Sequence, residues 1–507
     1  MRRRINHRHL AAAAVLLAFA GCSSSAGSGT DAAGTRAAAP TTAAPAPTTS
    51  VAATTTAAPA ADTTTTTIDP PEPTAVATPA SCPAGAPADR TCFSIAVAAD
   101  PATPTGPTLD LAVTVRRADP STWTSPVIIM AGPAPFYDWT APVSNPFVGH
   151  DLVYVDSRGT GRSDGATHCP DLQKYVGEIN ALHLGAAAEA AVATCLDTAR
   201  SAAVPFASLA DHALVAADLK AVRQALGIAK WGVFARHGGV NIALQMVNVD
   251  PDGISAIGGR SPEVVGSFSL PEDVGAAFDR LVADCSAIPA CAAKGDLRQQ
   301  LAAGLERLTT PVTTKVLDPG GDPVVLDATS LKYAIATALG TPANAKILPD
   351  LVVATATGGD DLVAGAFVAA PIATDAVDLL GLCQQQDYLG PGLGRKPGSG
   401  SGLFAGVDRA DFCAALGAVP QYPAPPAVTS DIPVFEILPS YDGRSSVERA
   451  KTIFAGFSKV QIVEAPGISD PNEVNDCYQA VVTAYFFDPT APLQTACLTS
   501  PAVKTLG

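Results

Sequence analysis

Residues Trp231 to Met246 read WGVFARHGGVNIALQM. An apolar run closes on Ala235, the chain turns through Arg236, His237, Gly238 and Gly239, and an apolar-periodic segment follows. A strand, a sharp turn and a helix in that order hold one side chain out on a strained tip. The residues two before and two after the tip must be small, because strand and helix crowd together there. Ala235 and Gly239 meet that need. The side chain at the tip is the imidazole of His237, where acyl-transfer chemistry ordinarily uses a serine. An imidazole can attack an acyl group, but the product is labile and the attack needs an activating neighbour.

Candidate neighbours are acidic rather than basic. The chain has seven histidines, at positions 7, 9, 150, 168, 183, 212 and 237, so none follows the tip. Asp442 follows the apolar run Ile432 to Leu438, and Asp470 closes Pro466-Gly467-Ile468-Ser469-Asp470. Gly161-Arg162-Ser163-Asp164-Gly165 matches the literal pattern G-x-S-x-G, but Ala-Thr-His-Cys-Pro follows it and starts no helix. Ser163 therefore reads as a turn residue. One histidine and two carboxylates also form a possible O/N metal-ligand set. The preferred expectation is no metal and no cofactor, since no histidine stands at metal-finger distance from a cysteine pair. Arg158 and Arg236 offer local counter-charges, and both read first as structural residues.

These groups must be positioned by a sheet. Val127 to Met130, Asp151 to Asp156, Trp231 to Ala235 and Ile254 to Gly259 read as strands. Between them a helix with a start signal at Ser208 and Asp211 carries Val215, Leu219, Val222 and Leu226 on one face and stops at Gly227. A second helix is expected over Asn241 to Val247. Strand–helix alternation predicts an α/β fold, a doubly wound, mostly parallel sheet covered on both faces. From 263 to 428 the text turns Ala-rich and helical, and reads as an inserted lid. The alternation resumes over 429–507, with strands at Ile432 to Leu438 and Lys459 to Ala465 and helices at Val447 to Phe454 and Val474 to Phe487. Residues 81–262 form the first part of the core.

The N-terminus belongs to no core. MRRRINHRHL followed by AAAAVLLAFAG reads as a signal peptide over 1–21, its apolar run too short to span a bilayer. Phe19-Ala20-Gly21-Cys22 resembles the lipobox of bacterial lipoproteins, which implies lipidation of Cys22 and anchoring on the extracytoplasmic face of the cell membrane. Residues 22–80 are rich in Ala, Thr and Pro and read as a disordered linker. The formal charge is −15, which argues against nucleic acid and against a polybasic membrane contact. A monomer is expected. Ten cysteines besides Cys22 fall into close sequential neighbours, and disulfides are expected as Cys82–Cys92, Cys169–Cys195, Cys285–Cys291, Cys383–Cys413 and Cys477–Cys497. Spacing alone leaves the connectivity open.

Four segments carry a resemblance. VDSRGTGRSDGATHCPDL, ADLKAVRQALGIAKWGVF, IPVFEILPSYDGRSSVERA and DPTAPLQTACL occur in this order. Together they resemble the tripeptidyl-aminopeptidase and proline-iminopeptidase-like branch of the α/β-hydrolases, over nearly all of 81–507 and weakly within the lid. The resemblance implies an α/β-hydrolase fold with His237 at the nucleophile position, Asp442 at the acid position and Asp470 at the base position. It also maps the oxyanion loop onto Met130-Ala131-Gly132-Pro133-Ala134, where Gly132 and Ala134 keep N–H groups and Pro133 and Pro135 have none; Gly238 is the other candidate donor. The five cysteine pairs fit secreted members of that branch.

With serine and histidine both replaced, the expectation is a degenerate triad on a binding or scaffolding protein. A peptide or small molecule would sit between core and lid. The alternative is a divergent peptidase or esterase using a rearranged His237/Asp442/Asp470 site, with His237 directed at one of the two aspartates.

Overall fold

Apolar runs of four to seven residues become strands buried on both faces, and they build the centre of the sheet. The computed structural model describes residues 75–103, 105–118, 126–130, 147, 149–202, 204–205, 208–209, 211–264, 271–369, 376–377, 379–380, 403–404, 425–499 and 505–506. The expected signal peptide, Cys22, Gly132, Ala134, Cys383 and Cys413 lie outside them. The described residues fall within one contact unit, Pro70–Gly507.

Nine strands make one sheet: β1 (Ala77–Ala80), β2 (Arg90–Ala98), β3 (Thr108–Arg116), β4 (Val127–Met130), β5 (Leu152–Val155), β6 (Trp231–Arg236), β7 (Ile254–Arg260), then β10 (Val434–Pro439) and β11 (Val460–Ala465). Two more, β8 (Val312–Leu317) and β9 (Pro323–Leu326), form a separate hairpin within the insertion. The order in the large sheet is β1-β2-β3-β5-β4-β6-β7-β10-β11. The first three pairings are antiparallel and the other five parallel. This is an α/β-hydrolase fold, with the elbow at the carboxyl end of β6.

Helices cover both faces, as a largely parallel sheet requires. The helices His212–Ala225 and Gly239–Val249 pack on one side, burying Leu219, Val222, Ile242 and Met246 with Val233 and Ile257. The helix Asn475–Phe487 covers the other, packing Tyr485 and Phe486 with Phe234 and Phe435. Two strand glycines make that packing possible. A Cβ at Gly232 would stand 2.5 Å from Phe486 Cδ1, and one at Gly258 would stand 2.9 Å from its Cζ.

Several local expectations shift. The helix before β6 is capped by Asp211, whose carboxylate accepts from the N–H groups of Ala213 and Leu214; Ser208 instead donates to Pro205 O in a turn. The elbow helix starts at Gly239, two residues earlier than expected, because Gly238 already takes helical dihedrals. The edge strands β1, β2 and β3 were missed in the sequence; β1 falls inside the stretch expected to be linker. The insertion is not wholly helical, since β8 and β9 turn about Asp318–Asp322. Its helices, Pro271–Ala287, Leu297–Arg307, Ala328–Leu339, Pro342–Ala356 and Asp360–Ala369, share an apolar cluster of their own.

Cys82–Cys92, Cys169–Cys195, Cys285–Cys291 and Cys477–Cys497 are disulfide-bonded. Cys477–Cys497 ties the C-terminal helix to the tail that follows it. Among the described residues, no helix is long and apolar enough to cross a membrane, and no cluster of metal-ligating side chains occurs.

Candidate functional site: a charged elbow

Two strained turns stand side by side at the carboxyl ends of β6 and β7. His237 has φ +49° and Ser261 has φ +47°. Such values are uncommon for residues other than glycine and are retained where surrounding contacts hold them. Here the turns are laced together. His237 N–H donates to Arg260 O at 3.3 Å, and Glu263 N–H donates to His237 O at 3.2 Å. Asn241, on the elbow helix, donates from Nδ2 to Gly238 O at 2.8 Å and to Glu263 O at 2.9 Å. Gly238 is buried at the N-cap of that helix.

This lacing brings the side chain of Glu263, 2% exposed, to the imidazole: His237 Nδ1 lies 4.0 Å from Glu263 Oε1. Nδ1 is buried and has no hydrogen-bond partner among the described residues. The expected approach of His237 to Asp442 or Asp470 does not occur, because arginines hold both aspartates. Asp442 accepts from Ser261 Oγ at 2.8 Å, from Arg444 Nη1 at 3.0 Å and from Arg444 N–H at 3.2 Å. Arg444 also faces Glu263, with Nε 3.6 Å from Oε1. Asp470 is ion-paired with Arg260 Nη1. The loop presenting Asp470 is closed by Glu473, whose Oε1 accepts from the N–H groups of Ser469 and Asp470.

Burial, reinforced by nearby charges, keeps the imidazole neutral. Burial holds the His237 pKa well below the ordinary histidine value, and the guanidinium groups of Arg444, Arg260 and Arg236 lower it further; a backbone hydrogen bond with Ser261 opposes them. His237 is therefore neutral around neutral pH and a weak base. Burial also works against the charge on Arg444, but Asp442 and Glu263 outweigh it and hold its pKa above the usual arginine value. The cluster is thus two guanidinium groups shared among three carboxylates beside one neutral imidazole.

Beneath the elbow sits Glu436, on β10. It is fully buried, and neither carboxylate oxygen has a hydrogen-bond partner among the described residues. Burial pushes its carboxyl well above the usual carboxylate range. It pairs in register with Gly259, which pairs in turn with Ala235. A Cβ at Gly259 would stand 2.7 Å from Glu436 Oε1, so the glycine makes room for this acid two residues before the tip.

Ser163 is not part of the cluster. It is buried in a turn, its Oγ donating to Asp156 O and accepting from Ala112 N–H at 2.9 Å. Arg158 is fully buried in a bidentate pair with Asp218, at 2.8 and 2.6 Å. Sequence reasoning missed Arg260, Ser261, Glu263, Glu436 and Arg444. A signal existed for some of them: a strand ending Gly-Gly-Arg, and an arginine two residues past Asp442.

No family model and no curated protein sequence matches the chain. Among solved structures it is similar to a proline iminopeptidase from Mycobacterium smegmatis, at 15% identity, 78% of this chain, 97% of that chain and a TM-score of 0.36. A proline iminopeptidase-related protein from Thermus thermophilus is similar at 13% identity, 77% and 95% coverage and a TM-score of 0.36. A putative non-heme bromoperoxidase from Mycobacterium tuberculosis is similar at 13% identity, 75% and 97% coverage and a TM-score of 0.33.

Proposed function

We propose that this protein is a lipid-anchored, extracytoplasmic binding or scaffolding protein that uses an α/β-hydrolase fold without serine-hydrolase turnover. The supporting observation is the state of the elbow. Its tip is a neutral imidazole, Asp442 is bound by Arg444 and Ser261, and Asp470 is bound by Arg260. Acyl transfer by this fold needs an activated nucleophile, a base that takes its proton and an acid that orients the base. None of the three positions is available for that role. By analogy with other enzyme folds, a ligand would sit between core and lid, and a peptide or small molecule is the expected occupant. Anchoring through Cys22 follows from the lipobox-like sequence.

The test is a fluorophosphonate probe applied to the purified chain. The expected outcome is no labelling. Labelling that disappears on denaturation would overturn the reading.

One observation favours a second reading, a hydrolase that uses His237 as base for water. Glu263, rather than Asp442 or Asp470, stands 4.0 Å from its Nδ1. Turnover of aminoacyl or ester substrates that vanishes in His237→Ala would favour it. The depressed imidazole pKa counts against it, because general-base efficiency follows basicity.

A further inference from the structure

The loop after β10 does more than carry Asp442. Together with the first turn of the helix Val447–Ile453 that follows it, the segment Ser440 to Arg449 meets the insertion at one point after another. Tyr441, fully buried, packs into the apolar cluster of the insertion and donates its hydroxyl hydrogen to Asp284 on the helix Pro271–Ala287. Arg280, one turn earlier on that helix, donates from Nη1 to Ser440 O at 2.8 Å. Arg449 donates from Nε to Asp273 at 2.7 Å and lies 3.7 Å from Glu272, both in the first turn of the same helix.

Two glycines mark how close the parts stand. A Cβ at Gly443 would come 2.8 Å from Val274 Cα, and one at Gly340, which ends the helix Ala328–Leu339, would clash with the Arg444 guanidinium. Arg444 thus touches the insertion on one side and Asp442 and Glu263 on the other.

We propose that this segment is a latch that holds the lid helix Pro271–Ala287 against the part of the core that carries Asp442, beside the elbow. The inference rests on the reading of the core–lid cleft as the ligand site. Arg449–Asp273, Tyr441–Asp284 and Arg280–Ser440 are the bonds that opening must break. All three join one continuous segment, the loop after β10 and the first turn of the helix Val447–Ile453, to one helix, so they release together. Partly buried, charge-assisted bonds of this kind are individually worth more than exposed ion pairs. The acid position and the lid contact share one stretch of ten residues, so lid opening and the setting of Asp442 are mechanically joined.

Amide hydrogen exchange on the full chain tests the latch without any ligand. Arg449→Ala should speed exchange in the helix Pro271–Ala287 roughly tenfold while the elbow helix Gly239–Val249 keeps its rate. Asp273→Ala should do the same from the lid side, and the double variant should fall well short of the product of the two single effects, since both remove the Arg449–Asp273 bond and only Arg449→Ala also removes the contact with Glu272. Unchanged exchange in the lid helix, an equal rise in both helices, or additive effects in the double variant would each overturn the proposal. These measurements read closure alone, so they are independent of fluorophosphonate labelling. A latch that fails while labelling stays absent leaves the binding-protein reading standing.

Discussion

His237 Nδ1 lies 4.0 Å from Glu263 Oε1, and Asp442 lies against Arg444 and Ser261 instead. The carboxylate beside the imidazole therefore comes from the turn after β7, not from the loop after β10. Asn241 accounts for this choice, because it bridges the carbonyls of Gly238 and Glu263 and holds the two turns together. Arg444 completes it by drawing Asp442 and Glu263 toward one guanidinium.

Restoring the replaced groups should fail for an electrostatic reason. In His237→Ser combined with Asp470→His, the buried Arg260 loses its carboxylate partner. A buried charge stripped of its partner costs roughly 3 kcal/mol or more. The double variant should unfold at lower urea and show no peptidase or esterase turnover, and Arg260→Met added to it should recover most of the lost stability. Wild-type stability together with turnover in the double variant would show that Arg260 is no obstacle.

Glu436 makes stability depend on pH in a direction opposite to that of most carboxylates. Its folded-state pKa is raised well above 4.5. Below pH 4.5, the ordinary value that the unfolded chain keeps, the acid is protonated both folded and unfolded, and its titration adds no pH-dependent penalty. As pH rises above it, the unfolded chain releases the proton and the folded chain keeps it. Stability then falls by about 1.4 kcal/mol per pH unit until the folded pKa is reached. Glu436→Gln keeps the shape and removes the proton. Urea unfolding should find it nearly neutral at about pH 4 and stabilising at about pH 8. An equal effect at both pH values would contradict a protonated Glu436.

Anchoring through Cys22 has a simple readout. If the proposed anchor is present, Cys22→Ala should move the protein from the membrane to the soluble fraction, because a lipid chain would supply its membrane affinity through buried methylene groups. A variant still found with the membrane would assign the attachment elsewhere.

Much of the fold was legible. The runs VIIM, LVYV and WGVFAR are short, apolar and closed by turn residues, and each is a buried strand. The small residues around His237 announced an elbow, and the positive φ there shows one. Among the strands at the β1 edge of the sheet, β2 breaks its alternation between the buried Cys92 and Ile95, whereas β3 buries Leu109, Leu111, Val113 and Val115 at every second position, a signal that TLDLAVTVR does carry. The β8–β9 hairpin is masked in the sequence, since the segments on both sides of it, Leu297–Arg307 and Ala328–Leu339, are strongly helical.

What the sequence alone determined is the inventory at the elbow: an imidazole at the tip, no later histidine, and two aspartates downstream. Those are matters of residue type and order. Tertiary structure decided which of the groups meet. Glu263, Asp442 and Asp470 lie far apart along the chain, and each could have faced His237. Burial leaves little room for an uncompensated charge, so Arg444 and Arg260 took up Asp442 and Asp470. The backbone lacing of the two strained turns, which no spacing rule encodes, set Glu263 beside the imidazole.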